Sequence, residues 1–424
     1  MSRDLNRFGL HYFSDEDHFT QADWSAWGPK LTSLGVGWLT LVASEQRAIP
    51  EAFLRSLIED AIEPIIHIPV KLGSLSLREI APILKSYADW GVQYVVIYDR
   101  PNMQSAWNPA DWSRGELIGR FADQLLPILH VQREIGLKPM LPPLEPGGDY
   151  WDTAFLEAYL STIHRRGQSD LLKDSGMALY SWTYGRPLNW GLGGPDAWPE
   201  AKPYQLTEGS ENQIGFRIFE WYHTIVKQTI GLDLPIFVLE GGYYPGVQTK
   251  IEDPLVVQSE IFEQLHTLQA PDYLRCFNFN AFTSDIQPGA AWFQDDRSNG
   301  PLAEVILNTR RKQRKSVCAN LSKTIDHYAL FPTSGTQDAI KTWEVMAPFA
   351  MAVKPTFGFS VEEATHARKV TILAGLQDIS PEIEQRLEDS GCDVSRIDVQ
   401  NDGKLIDAIT AFSMKNGQAG GYND

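Results

Sequence analysis

Short, mostly apolar runs recur along most of the chain, separated by longer stretches with helical period. The runs lie at Phe8–Phe13, Val36–Val42, Pro64–Val70, Val92–Tyr98, Lys138–Leu141, Met177–Trp182, Pro235–Leu239 and Leu274–Asn280. A strand needs such a run, rather than an alternating one, when helices cover the sheet it belongs to. The intervening stretches open on helix-start signals: Thr20-x-x-Asp23, Pro50, Ser76-x-x-Glu79, Asp152, Ser210-x-x-Gln213 and Asp253-Pro254. Two further helices are predicted over Gly115–Ile135 and Pro301–Arg314. Eight strand–helix units in succession predict a (β/α)8 TIM barrel over residues 1–316. A doubly wound open sheet is the alternative, but no Gly-rich phosphate loop follows any strand.

From residue 317 to 424 the period changes, and the pattern predicts a small α/β accessory domain or extension. A helix is expected over Thr336–Ala350 and a capping box at Ser360-x-x-Glu363. Strands are expected at Val370–Ala374 and Val394–Ile397, a helix opening at Ser380-Pro381, and a last helix through Leu405–Phe412. The Gly-rich residues from Asn416 to Asp424 are expected to be disordered.

Composition narrows the function. A hydrophobic content of 43% and a charged content of 21% are those of an ordinary globular protein. The formal charge of -17 argues against a sequence-independent nucleic-acid binder. The basic run Arg310–Lys315 reads as a solvated helix end. Cys276, Cys318 and Cys392 form neither a disulfide framework nor a C-x-x-C metal pair. A metal on His11, His67 and Asp99 is the alternative, but no spacing supports it, so no metal and no cofactor is expected. With no leader-like segment and no apolar run of membrane length, the chain reads as cytoplasmic and not membrane-bound. An exported chain whose leader had been removed would read the same.

In a barrel of this kind the chemistry gathers where strands end. The strand ends carry His11 and Tyr12, Ser44 and Glu45, His67 and Lys71, then Asp99-Arg100-Pro101-Asn102. They continue with Glu145 and Asp149, Trp182 and Tyr184, Glu240 and Tyr243, and lastly Asn280 with Trp292. Glu240, which closes an apolar strand and precedes Gly241-Gly242, needs water, a partner or a substrate. Of 13 tryptophans, seven fall in or beside these loops (Trp107, Trp112, Trp151, Trp182, Trp190, Trp198 and Trp292), where flat rings suit the apolar faces of sugars. The plainer reading is that long loops use them as small cores of their own. Glu45, Glu145 and Asp149 also suit turns and helix caps.

The order of elements, the aromatic-x-x-Pro-Asn end of strand four, the Glu-Gly of strand seven and the tryptophan after strand eight resemble the retaining glycoside hydrolases of the cellulase and mannanase superfamily over residues 8–314. The resemblance implies a β-linked oligo- or polysaccharide as partner, Glu240 as nucleophile and a second carboxyl as proton donor. It also implies sugar contacts from His11, Tyr12, His67, Arg100, Asn102, Trp182, Tyr184, Tyr243 and Trp292. Where that superfamily has Asn-Glu-Pro, this chain has Asp99-Arg100-Pro101. A guanidinium cannot deliver a proton near neutral pH, so Arg100 is expected to pair with Glu240, and Asp99 is the acid a one-residue shift would supply. Two readings stay open: a glycosidase with an atypical acid, and a carbohydrate-binding barrel without turnover. Segments from Asp338 to Ile397, including Val370–Gly375 and Gly391–Ile397, resemble a single copy of the cell-wall-binding repeat of bacterial surface proteins.

Overall fold

The computed structural model describes residues 6–202, 210–244, 253–266, 270–280, 291–294, 298–308, 323–332, 354–374 and 378–397. The basic run, the helices expected over Thr336–Ala350 and Leu405–Phe412, and the C-terminal tail lie outside them. The chain divides into two compact units, Met1–Leu307 and Asn308–Asp424.

The first unit is a (β/α)8 barrel. Its strands are β1 Phe8–His11, β2 Trp38–Val42, β3 Glu63–Ile68, β4 Tyr94–Ile97, β5 Met140–Leu141, β6 Gly176–Trp182, β7 Ile236–Gly242 and β8 Leu274–Phe279. All pair in parallel in the order β4-β3-β2-β1-β8-β7-β6-β5. A parallel bridge between Tyr94 and Lys138 brings the two ends together, so the sheet closes on itself. β5 is only two residues long because Pro139, Pro142 and Pro143 flank it, and proline has no N–H for the ladder.

A helix follows each strand. The first, Gln21–Leu34, begins on the expected capping box: the Thr20 side chain accepts from the Asp23 amide, and the Asp23 carboxylate accepts from the Thr20 amide. The helix expected from Ser210 starts instead at Ile218. The residues before it are used otherwise, since the Gln213 amide donates to Asp152 and Gly215 lies against the Trp190 ring.

Inside the barrel the side chains stack in layers. Trp38, Tyr94 and Phe237 form an aromatic floor, with ring centroids 4.7–5.8 Å apart. Ile65, Val96, Met140, Ala178, Leu239 and Cys276 fill the interior around it. Gly9 makes room for this packing, because a Cβ there would stand 2.8 Å from Trp38 Cβ and 1.9 Å from Asn278 Oδ1. Between sheet and helices runs the larger core, which includes Phe8, Leu10, Leu39, Leu41, Ile66 and Ile97.

The second unit holds β9 Ile325–Leu330, β10 Thr356–Gly358, β11 Ala367–Leu373 and β12 Asp393–Ile397, all parallel, in the order β10-β9-β11-β12. Its core gathers Tyr328, Leu330, Val370, Ile372 and Leu387. Among the described residues of both units, no helix is long and apolar enough to cross a membrane.

Gly9→Ala is expected to lower the stability of the barrel by about 1–3 kcal/mol, the usual range for overpacking a core. Urea unfolding of the full chain, read as a lower midpoint at unchanged slope, checks it.

Candidate active site

The C-terminal mouth of the barrel is shaped by two departures from regular strand geometry. The first is a bulge in β7. Leu179 pairs with Val238, but the next β6 residue, Tyr180, pairs with Glu240, leaving Leu239 as the extra residue. Leu239 packs among the interior side chains, and Glu240 shares the register position of the interior Tyr180. A bulge re-aims a side chain in this way and lets two successive residues serve one face. Glu240 is half-buried, and among the described residues no hydrogen bond or ion pair holds its carboxylate.

The two glycines that follow Glu240 are required by packing. A Cβ at Gly241 would meet the Ser181 carbonyl at 2.4 Å, while Gly242 has φ +123° and lies against the Gln258 amide.

The second departure is at the end of β4. Tyr98 has φ 73° and Arg100 φ 46°, conformations that side-chain-bearing residues seldom adopt and that cost roughly 1–3 kcal/mol each. Hydrogen bonds hold the turn: the Arg100 amide donates to the Pro143 carbonyl at 3.0 Å, and the Met103 amide to the Arg100 carbonyl at 2.8 Å. Strand alternation therefore stops at Ile97, and Asp99 and Arg100 both meet the same interior residue. The Tyr180 hydroxyl donates to Asp99 Oδ1 at 2.7 Å, and the Arg100 guanidinium lies 4.5 Å over the Tyr180 ring.

Arg100 does not pair with Glu240 as expected. Its Nε stands 2.8 Å from Glu145 Oε2, in contact but off-line for a hydrogen bond, and its Nη1 lies 3.5 Å from Asp99 Oδ2. Glu240 acts on it only through its field. Burial works against the Arg100 charge, but Asp99, Tyr180, Glu145 and Glu240 together hold its pKa above the ordinary value.

The same surroundings push the Glu145 carboxyl upward. Burial is the main cause, Arg100 opposes it, and the Asp99 and Asp152 charges add to it. Burial also raises the Tyr180 hydroxyl, with Asp99 and Glu240 contributing.

The loop carrying Glu145 is fastened from two sides. Asn102, fully buried, donates to the carbonyls of Glu145 and Tyr150 at 2.8 and 3.0 Å and accepts from the Glu145 amide at 2.8 Å. Asp152, also fully buried, accepts from the Gly147 amide at 2.9 Å, Gln213 at 2.6 Å and the Tyr222 hydroxyl at 2.8 Å.

His11 and His67 stand beside this group. His67 Nε2 meets the Tyr98 carbonyl at 3.1 Å and His11 Nδ1 meets the Tyr12 carbonyl at 2.9 Å. Burial holds the His67 pKa below its ordinary value. Asp99 and the Tyr98 carbonyl oppose that shift, and His11 and Arg100 reinforce it. No three His, Cys, Asp or Glu side chains among the described residues are gathered to hold a metal. An open cleft of about 180 Å³ lies beside Asp99 and Arg100, walled by Pro69, Lys71 and Ser105.

The aromatic wall differs from the expected one. Trp182 and Tyr184 take part in it, with ring centroids 5.9 and 5.4 Å from the exposed ring of Tyr244. Tyr243, expected there, is buried in the outer core, because alternation from Glu240 runs through Gly242 to Tyr244. Counting that alternation from the glutamate was the signal available for Tyr244. Tyr12 packs outward against Phe13, Phe19 and Phe53, and Trp292 is fully buried against Phe8 and Phe279. Asn102 spends its amide on loop backbone, so these three have no face toward a ligand in this arrangement. Trp107 is a core residue, and Trp190 and Trp198 pack on each other inside the loop after β6.

No protein-family model and no curated protein sequence matches the chain. Among solved structures it is similar to a GH128 (subgroup II) endo-β-1,3-glucanase from Sorangium cellulosum, at 15% identity and TM-score 0.44 over 71% of this chain and 97% of that one. It is also similar to an endocellulase from Pyrococcus horikoshii, at 14% identity and TM-score 0.42 over 72% and 91%. A third likeness is to a monomeric β-xylosidase from Caulobacter crescentus CB15, at 10% identity and TM-score 0.47 over 72% and 68%. These are likenesses of fold, and no residue role is carried over from them.

The lowered pKa of His67 sets a pH dependence. The unfolded chain takes up a proton at this histidine near pH 6.5, while the folded chain resists it until a lower pH. Stability from this group is therefore complete above about pH 6.5 and is lost as pH falls toward the folded value. His67→Gln is expected to flatten the loss between pH 7.5 and 5.5, read as the difference between wild-type and variant urea midpoints.

Proposed function

We propose that the barrel acts on a β-linked glycan by a retaining mechanism, with Glu240 as the nucleophile. The observation that carries this reading is the β7 bulge, which turns a strand-end carboxylate into the mouth. Glu240 has the exposure and freedom an attacking oxygen requires. The Trp182, Tyr184 and Tyr244 rings supply flat apolar surface for a sugar.

A retaining hydrolase also needs a proton donor for the departing oxygen, and Arg100 cannot serve. Glu145 fits better than Asp99. Burial raises the Glu145 pKa, the direction a proton donor needs, whereas Asp99 accepts the Tyr180 hydroxyl and faces Arg100. In this assignment Asp99 is a positioning residue that fixes Tyr180 and the guanidinium. The Arg100 contact with Glu145 supports a second reading, in which the acid is held as a carboxylate and the groove binds a glycan without turning it over.

Activated aryl β-glycosides separate the roles, because their leaving groups need no protonation. Glu240→Ala is expected to abolish turnover of both aryl and natural-type substrates, by about a thousandfold or more. Glu145→Gln is expected to lower hydrolysis of unactivated β-glycans by about 10²–10⁴-fold while sparing the aryl glycoside. Absence of turnover on every aryl glycoside, with glycan binding by calorimetry retained, would decide for the binding barrel.

A further inference from the structure

In the second unit a lysine amine is buried against a thiol. Lys323, 8% exposed, precedes β9, and its Nζ lies 3.0 Å from Cys392 Sγ while also donating to the Thr365 carbonyl. Cys392, likewise 8% exposed, precedes β12, and its sulfur faces the Ala364 carbonyl at 3.4 Å. Among the described residues no carboxylate pairs with Lys323. A buried amine needs polar partners, and among the described residues those in contact with it are the Thr365 carbonyl and the Cys392 thiol. The amine and the thiol stand within proton-transfer distance, two nucleophiles held against each other by three chain segments.

We propose that Lys323 and Cys392 form a peroxide-responsive covalent crosslink. In the first step the Cys392 thiolate attacks one oxygen of hydrogen peroxide. An S–O bond forms and the O–O bond breaks. The departing hydroxide takes the proton from the Lys323 ammonium and leaves as water. Sulfur is oxidised by two electrons and peroxide is reduced by two. Lys323 is now a neutral amine beside a sulfenic acid. Its lone pair attacks the sulfur, the S–O bond breaks, and the hydroxyl leaves as a second water with a proton from nitrogen. The product is an S–N bond between Nζ and Sγ that a thiol reductant reverses. It joins the segments entering β9 and β12, which lie on either side of β11 in the sheet. The nearby amine also diverts the sulfenic acid from further oxidation.

The proposal stands apart from the barrel's activity. Full-length protein is treated with equimolar hydrogen peroxide, digested with chymotrypsin without reduction and mapped by mass spectrometry. The expected result is a peptide pair joined through Lys323 and Cys392 with loss of two hydrogens, released by dithiothreitol. The thermal midpoint of the second unit should rise on oxidation and return on reduction. Lys323→Met should leave Cys392 to advance to the sulfinic acid. Three outcomes on the wild-type map overturn the proposal, whether or not the variant folds. They are a free sulfenic or sulfinic acid at Cys392 with Lys323 unmodified, a disulfide between Cys318 and Cys392, and an unreacted pair.

Discussion

The mouth of the barrel depends on one guanidinium. Asp99, Glu145 and Glu240 bring three carboxylates into one neighbourhood, and Arg100 lies within the field of all of them. Like charges disfavour one another unless a cation stands between them, and Arg100 opposes the upward push that burial and Asp99 exert on the Glu145 carboxyl. The Arg100 position is itself strained, so the fold spends backbone energy to place a charge there. The fork of an arginine suits this better than a lysine, because one end can meet Glu145 while the other reaches Asp99 and the flat face covers Tyr180.

That placement also makes the three carboxylates unequal. Asp99 has a hydroxyl donor and a guanidinium edge. Glu145 is governed by burial, which outweighs the contact with Arg100 in the direction of its shift. Glu240 has no partner among the described residues. Acid and base roles arise when environments push chemically similar groups apart. On the proposed mechanism, Arg100 is compatible with turnover only if the proton comes from Glu145 on the loop after β5. The fastening of the β5 loop by Asn102 and Asp152 then becomes a functional matter, since it fixes where Glu145 stands.

The barrel was legible in the sequence because a buried parallel strand leaves an apolar run, and eight such runs can be counted. The site was legible only to the level of strand ends. Glu240 was found because a carboxylate after Leu239 breaks the run. Its pairing with Arg100 was misread because both strands abandon regular alternation, one through a bulge and the other through positive φ at Tyr98. Neither leaves a mark in residue type, since the tyrosine and arginine are held there by hydrogen bonds from β3 and the β5 loop. The tryptophans misled for a related reason. A ring beside a long loop serves a sugar or the loop itself, and Trp190 and Trp198 serve the loop.

The second unit shows the limits of apolar counting more sharply. β11 and β12 fell on the expected runs, whereas β9 is buried only in its second half and β10 has three residues. The order β10-β9-β11-β12 puts β9 and β11 at the centre, so the strand with the weaker pattern occupies an inner position. Tertiary pairing overrides local pattern there, because β9 gains a neighbour on both sides. What precedes β9 is a lysine, a residue that sequence reading assigns to the surface. Its burial against Cys392 follows from the register that sets β9 and β12 on either side of β11, which no property of either residue alone could specify.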